Sequence, residues 1–247
     1  MDYLVAASRG GGLTNQIPYK VTAAVIPGGT LDDMAEKAAK LLPPPPQFGD
    51  RPHVYVMAGI CDITYKVKSG HGPHRYTECL YSEEPSLTIE RVKNEINNCA
   101  RKIEGAGAVP CFCTIVPSSI KGYNNHLLNI GKTTKHLHTD KYASMQRNLE
   151  LAINEINSYI IDTNHSRNMS TPLTHTSIRK RHGTKPRHYY KYDYRQLKDG
   201  VHGNASTRTK WAAALQGAIK LNRYTDNSDE EPSSPRRSWR RERPEYY

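Results

Sequence analysis

Lys20-Val21-Thr22-Ala23-Ala24-Val25-Ile26-Pro27-Gly28-Gly29-Thr30-Leu31-Asp32-Asp33-Met34-Ala35-Glu36-Lys37-Ala38-Ala39-Lys40-Leu41-Leu42 passes from an apolar, β-branched strand through a glycine pair into an amphipathic helix. Leu31, Met34, Ala38, Leu41 and Leu42 fall on one face at helical spacing, so the helix has a core side and a solvent side. Thr30 is placed to cap it, and Asp32 and Asp33 suit the positive end of its dipole. Pro43 to Pro46 stop it. A strand leading so directly into a helix is half of a βαβ unit.

Working outward, the alternation continues. Tyr3 to Ser8 reads as a strand, His53 to Ile60 as another, and Ala108 to Val116 as a fourth, almost wholly apolar, as a buried central strand should be. Helices are predicted over Ser86–Glu104, Tyr142–Ile161 and about Ser206–Leu221, and a polar insertion separates Ile60 from Pro85. Strands alternating with helices of a dozen residues or more predict an α/β fold with a parallel sheet covered on both faces. In such sheets ligands bind beyond the carboxyl ends of the strands. Ser8, Gly28-Gly29 and Cys61-Asp62 follow three of those ends, and Asp199 and His202 stand just before the last helix.

Composition narrows the function classes. The chain has 247 residues, a net charge of +11 and only 36% hydrophobic residues. From Thr163 to Lys198 nine Lys or Arg oppose one acidic residue, Asp193, which predicts a polyanionic partner for that stretch. No run of 18 apolar residues exists, so no membrane span is expected, and the N-terminus lacks the pattern of a signal peptide. Five cysteines, an odd number without an export signal, predict reduced thiols and an intracellular, cytoplasmic or nuclear protein, in which the three Asn-x-Ser sequons at Asn164, Asn168 and Asn204 are without consequence. Cys111 and Cys113, two apart on a strand, point the same way and read as buried thiols. His126, His136 and His138 do not assemble a metal pattern with them, so neither metal nor cofactor is expected. Gly10-Gly11-Gly12 matches neither a P-loop nor a dinucleotide loop.

The chemistry rests on Asp199-Gly200-Val201-His202. A carboxylate three residues before an imidazole can hold one ring nitrogen and leave the other to take a proton from a serine. With Ser8 after the first strand, Pro27-Gly28-Gly29-Thr30-Leu31 before a helix, and Gly59-Ile60-Cys61-Asp62 after the third strand, the chain from Met1 to about Leu221 resembles the SGNH (GDSL-type) hydrolases. The resemblance implies a three-layer α/β/α, flavodoxin-like fold and a small-ester substrate. It also implies a triad of Ser8, His202 and Asp199, with an oxyanion hole drawn from the Ser8 amide, Gly28 or Gly29, and position 61. Two positions depart from the pattern: Ala7 stands where the family has Asp, and Cys61 where it has Asn, and a thiol is a weak donor. Strongly diverged SGNH-like domains occur in mobile genetic elements, including some non-long-terminal-repeat retrotransposons, and the basic segment suits such a setting.

Two functions therefore stand side by side. One is a serine esterase acting on a small acyl ester. The other is a weak or inactive SGNH-fold module of retroelement or virus type that binds RNA or single-stranded DNA. The second would use Arg179, Lys180, Arg181, Lys185 and Arg187 for phosphates and Tyr189, Tyr190, Tyr192 and Tyr194 as stacking faces. The bland alternative for that stretch is a solvated basic loop followed by a strand whose tyrosines pack on the sheet. The predicted organisation is a domain over 1–222, with the basic insertion at about 163–198, and a disordered charged tail over 223–247.

Overall fold

The computed structural model describes residues 3–7, 21–42, 51–69, 76–81, 84–133, 139–184 and 187–226. Four parallel strands, β1 (Tyr3–Ala7), β2 (Val21–Val25), β3 (His53–Met57) and β6 (Val109–Phe112), form a sheet in the order β2-β1-β3-β6. Between them run α1 (Leu31–Leu41), α2 (Ile60–Ile63), the hairpin β4 (Thr64–Ser69) and β5 (Tyr76–Tyr81), and α3 (Pro85–Gly105). After β6 come α4 (Ile120–Asn129), α5 (Thr139–His165), a second hairpin of β7 (Arg179–His182) and β8 (Tyr189–Tyr192), and α6 (Ala205–Asp226).

The period of two along β3 builds the layers. Val54 and Val56 pack with α1, α3 and α5 in one buried cluster, while Tyr55 and Met57 pack with Trp211, Leu215 and Ile219 of α6 in another. The result is the expected three-layer α/β/α arrangement. Cys111 and Cys113 do share a face, the α6 side, where burial raises both thiols far above their usual range. Among the described residues no helix is long and apolar enough to cross a membrane.

The open edge of the sheet is closed by side chains. Phe112 of β6 gives its N–H to Asn164 Oδ1 (3.0 Å) and accepts from Asn164 Nδ2 (2.7 Å). Ile115 is held in the same two-point way by Asn157. Thr114 N–H then donates to Pro172 O (3.1 Å), so the chain after α5 covers the strand end. An edge strand treated this way presents no free row of donors and acceptors for pairing with another chain.

Several predicted boundaries shift. The fourth strand ends at Phe112 rather than Val116, because the residues beyond it pair with Asn157 and Pro172. The polar insertion holds α2 and a regular hairpin, and α4 occupies a stretch assigned no element from sequence. The basic segment is itself a hairpin, with Arg179 opposite Tyr192 and His182 opposite Tyr189. The last helix continues to Asp226, into the stretch expected to be tail; residues 227–247 lie outside the described ones.

Candidate active site

The loop before α6 is folded around Asp199. Its Oδ1 accepts from Val201 N (3.0 Å) and His202 N (2.7 Å), and its Oδ2 lies 2.7 Å from His202 Nδ1. A carboxylate only accepts, so Nδ1 carries a proton and Nε2 is the ring nitrogen left turned away from Asp199. Burial works against the Asp199 charge, but these hydrogen bonds outweigh it and hold the carboxyl well below its usual range. The Asp199 side chain is 12% exposed and that of His202 49%, so the dyad is anchored inside and open outside. Asn204 caps α6 through Thr207 N (2.9 Å) and fixes the loop's exit.

Gly200 decides where this loop sits. Its φ is +82°, and a Cβ there would run into the backbone N of Tyr123 and lie 2.9 Å from Ser119 O. Its own carbonyl accepts from Ser119 N at 2.7 Å. The start of α4, capped by Ser119 Oγ accepting from Gly122 N (3.0 Å), is thus pressed directly against the Asp199-His202 loop. The sequence motif contained this glycine, but only the approach of α4 explains it.

The second wall is the turn after β2. Gly28 (φ +73°) and Gly29 make it, with Gly29 N donating to Ile26 O (3.0 Å). Thr30 caps α1 as expected: Oγ1 accepts from Asp33 N (3.2 Å), and Asp33 Oδ2 accepts from Thr30 N (2.8 Å), a complete capping box. Gly29 is buried against Met34 and Ile26, whereas Gly28 faces the site.

Asp62 ties this turn to the segment after β3. Its carboxylate accepts from Leu31 N at 3.1 and 3.3 Å across the N-terminus of α1. Burial pushes its pKa up to about 7; the Leu31 amide opposes this, Glu95 adds to it and Arg91 opposes it. Arg91 Nη2 also donates to Asp62 O (2.5 Å). Gly59 (φ +112°) makes the corner before α2, where a Cβ would collide with Ile115. Cys61 is thereby set on a short helix, beside the Gly28 turn.

These pieces converge. Gly28, Cys61 and His202 line one cavity of about 280 Å³, whose remaining walls include Lys66 and Cys79 of the β4–β5 hairpin and Tyr123 of α4. Three of the sites named from sequence therefore meet at the carboxyl edge of the sheet. Ser8 lies outside the described residues; the strand it follows ends at Ala7, in register with Val25 and Met57. Lys66, Tyr123 and Arg91 were not foreseen: they come from the hairpin, α4 and α3, whose approach to this edge leaves no local mark in the sequence. Among the described residues no cluster of His, Cys, Asp and Glu is arranged to hold a metal. His126 lies in α4, and His136 and His138 are outside the described residues.

The basic hairpin divides its tyrosines. Tyr192 OH donates to Asn154 Oδ1 and Tyr194 OH to Glu150 Oε1, each at 2.6 Å, which ties these two to α5, and both rings also pack against the buried cluster on the α6 side of the sheet, as the packing alternative expected. Tyr189 and Tyr190 are 51% and 52% exposed. Arg179 lies over the Tyr190 ring (4.8 Å), Lys191 over Tyr189 (5.2 Å), and His182 stacks on Tyr189. Lys180, Arg181 and Arg187 are exposed around them; Lys185 is outside the described residues.

No protein-family model matches the sequence, and no curated protein matches it. Solved structures do match the fold. A GDSL-like lipase of Bacteroides thetaiotaomicron superposes with a TM-score of 0.52 at 11% identity, covering 90% of this chain and 88% of its own. An acylhydrolase-like protein of Bacteroides fragilis gives 0.53 at 13% identity, over 90% and 86%. The C-terminal domain of Drosophila Oskar gives 0.50 at 10% identity, over 88% and 87%. The chain has the SGNH hydrolase fold, carried by a sequence that has diverged far from these neighbours.

Proposed function

We propose that this SGNH-fold chain is a serine esterase for small acyl esters. The observation that carries the reading is the placement of His202: its Nδ1 is tied to Asp199 at 2.7 Å while the ring lines the same cavity as Gly28 and Cys61. Ser8 Oγ attacks the ester carbonyl and passes its proton to His202 Nε2. Asp199 keeps the imidazole in the Nδ1–H tautomer and stabilises the imidazolium that forms. The oxyanion is held by the backbone N–H groups of Ser8 and Gly28, with the Cys61 thiol as a weak third donor. The tetrahedral intermediate collapses, Nε2 returns the proton to the leaving alcohol, and water attacks the acyl-enzyme by the same route. A missing oxyanion donor costs about 10²–10³ in rate, so turnover is expected to be slow. The test is hydrolysis of short-chain p-nitrophenyl esters by the wild type and by Ser8→Ala. A rate abolished in the variant supports the reading; equal rates end it.

A second activity is favoured by the hairpin. Two half-exposed tyrosine rings interleaved with Arg, Lys and His, and no carboxylate among residues 179–192, make a surface suited to single-stranded nucleic acid. Cations follow the phosphates and Tyr189 and Tyr190 stack on bases. Should catalysis prove negligible, this surface becomes the working part of the molecule. Fluorescence anisotropy with a labelled single-stranded oligonucleotide checks it: charge reversal at Arg179 and Arg181 should weaken binding and flatten its salt dependence. Unchanged affinity at moderate salt would rule it out.

A further inference from the structure

The cavity that Gly28, Cys61 and His202 share has a charge of its own, supplied by Lys66. On the β4–β5 hairpin Lys66 is paired with Cys79, and both, with Thr64, line the cavity, whereas Tyr65 turns outward. The ammonium sits over the Tyr123 ring, with Nζ 5.4 Å from its centroid. A cation over an aromatic face is held in place without being neutralised. Among the described residues no carboxylate pairs with it: the acid of the same hairpin, Glu78, is committed to Lys141 (2.8 Å) and to the Tyr142 hydroxyl. The rest of the lining is thiol, hydroxyl and hydrocarbon apart from His202, so Lys66 is the fixed positive charge among the described lining residues.

Its place relative to the dyad is fixed as well. The backbone of Tyr123 packs on Gly200, in the middle of Asp199-Gly200-Val201-His202. The ring that steadies Lys66 and the loop that carries His202 therefore share one anchor. Burial works against the Lys66 charge, but Tyr123 and the thiols of Cys61 and Cys79 keep its pKa above the usual lysine value. Lys66 is exposed at this cavity, so beside a neutral ligand its ammonium stays hydrated and unpaired by the ligand. A ligand with an anionic group would pair with it.

We infer that Lys66 sets the substrate class of this site: small esters that carry one anionic group, carboxylate or phosphate, held against Lys66 while the ester lies at His202. The inference rests on the esterase reading above; only the affinity of the cavity for an anion is independent of it.

Three matched acetates separate the possibilities: 4-acetoxybenzamide (neutral), 4-acetoxybenzoate (carboxylate) and 4-acetoxyphenyl phosphate. The full chain should prefer at least one anionic ester over the neutral one by about three- to fivefold in kcat/KM, through KM, as expected for a partly screened ion pair. Which anion gains more identifies carboxylate or phosphate. In Lys66→Met the ratio of anionic to neutral ester should fall to about one, and in Lys66→Glu it should invert. A wild-type ratio near one, or a ratio that survives Lys66→Met, overturns the inference and leaves the esterase reading standing. If the wild type hydrolyses none of the three, the esterase reading fails, and binding of benzoate and phenyl phosphate measured by ligand-line-broadening NMR decides Lys66 alone. Binding lost in Lys66→Met upholds the affinity of the cavity for an anion; no binding to the wild type, or equal binding by both proteins, overturns it.

Discussion

Replacing Gly200 by alanine tests the packing that positions the dyad. At φ +82° a Cβ is strained, at about 1–2 kcal/mol for a residue without compensation. The added methyl would also press on the backbone N of Tyr123 and lie 2.8 Å from Gly122 C and 2.9 Å from Ser119 O, none of which is a flexible side-chain tip. Relieving that overlap requires the loop to retreat by about 0.5–1 Å, which costs about 1–3 kcal/mol in repacking. It also stretches the 2.7 Å hydrogen bond from Ser119 N to Gly200 O, a loss of about 1 kcal/mol. The expected destabilisation is about 3–6 kcal/mol. The catalytic effect is separate: a displacement of about 1 Å at His202 costs on the order of 10² in kcat/KM. Urea denaturation and the p-nitrophenyl ester assay read the two effects. Gly217→Ala is the control of opposite sign, because that glycine lies within α6 with open space around it; alanine there should stabilise by about 0.5–1 kcal/mol. A Gly200→Ala protein with unaltered stability and unaltered rate would refute the claim that α4 sets the position of the dyad.

Three further outcomes follow from the geometry. Asp62 has a folded pKa raised from 3.8 to about 7, so the folded state retains a proton that the unfolded chain releases. Its stabilising contribution is complete below about pH 4 and is lost as pH rises to about 7, by a few kcal/mol at about 1.4 kcal/mol per unit. Asp62→Asn should flatten the pH dependence of the denaturation midpoint across that window, and an unchanged slope would contradict it. Cys61→Asn supplies a stronger donor to the oxyanion and should raise kcat by about tenfold or more; a fall in kcat in a folded variant would remove position 61 from the oxyanion hole. Tyr189→Ala with Tyr190→Ala should weaken oligonucleotide binding without moving the thermal midpoint. Tyr194→Phe, which removes the donor to Glu150 and the acceptor from Gln146, should lower stability by about 1–2 kcal/mol. Equal effects of the two sets on binding would show that the hairpin does not divide its tyrosines as described.

The βα unit at Lys20–Leu42 was legible because its signals are local: β-branched residues, two glycines, a cap and one apolar face all lie within a single turn or two. Asp199 and His202 were legible for the same reason, since their hydrogen bonds span three residues. The β4–β5 hairpin was not. Thr64 and Lys66 line the cavity, Tyr65 and Lys68 are exposed and Val67 is only half-buried, so no apolar period marks the strand. Helix α4 hid in a polar stretch, Lys121 to Asn129, and what it buries, Ile120, Asn124 and Leu127, includes an asparagine that satisfies both backbone groups of Cys79. Sequence pattern reads such a residue as surface. Lys66 and Tyr123 meet only because these two elements approach the same sheet edge, a relation between distant segments that no window along the chain contains. Asp62 was visible as part of a motif, but its hold on the N-terminus of α1, 31 residues earlier, was not.

Labelling with a fluorophosphonate, followed by peptide mass mapping, tests the central claim most directly. A serine activated by the Asp199-tied His202 should take the phosphonyl group at Ser8, and the adduct should disappear in His202→Ala while the protein stays folded by circular dichroism. A folded wild-type protein that takes no adduct at Ser8, or an adduct at Ser8 that forms as fast in His202→Ala, would contradict the account.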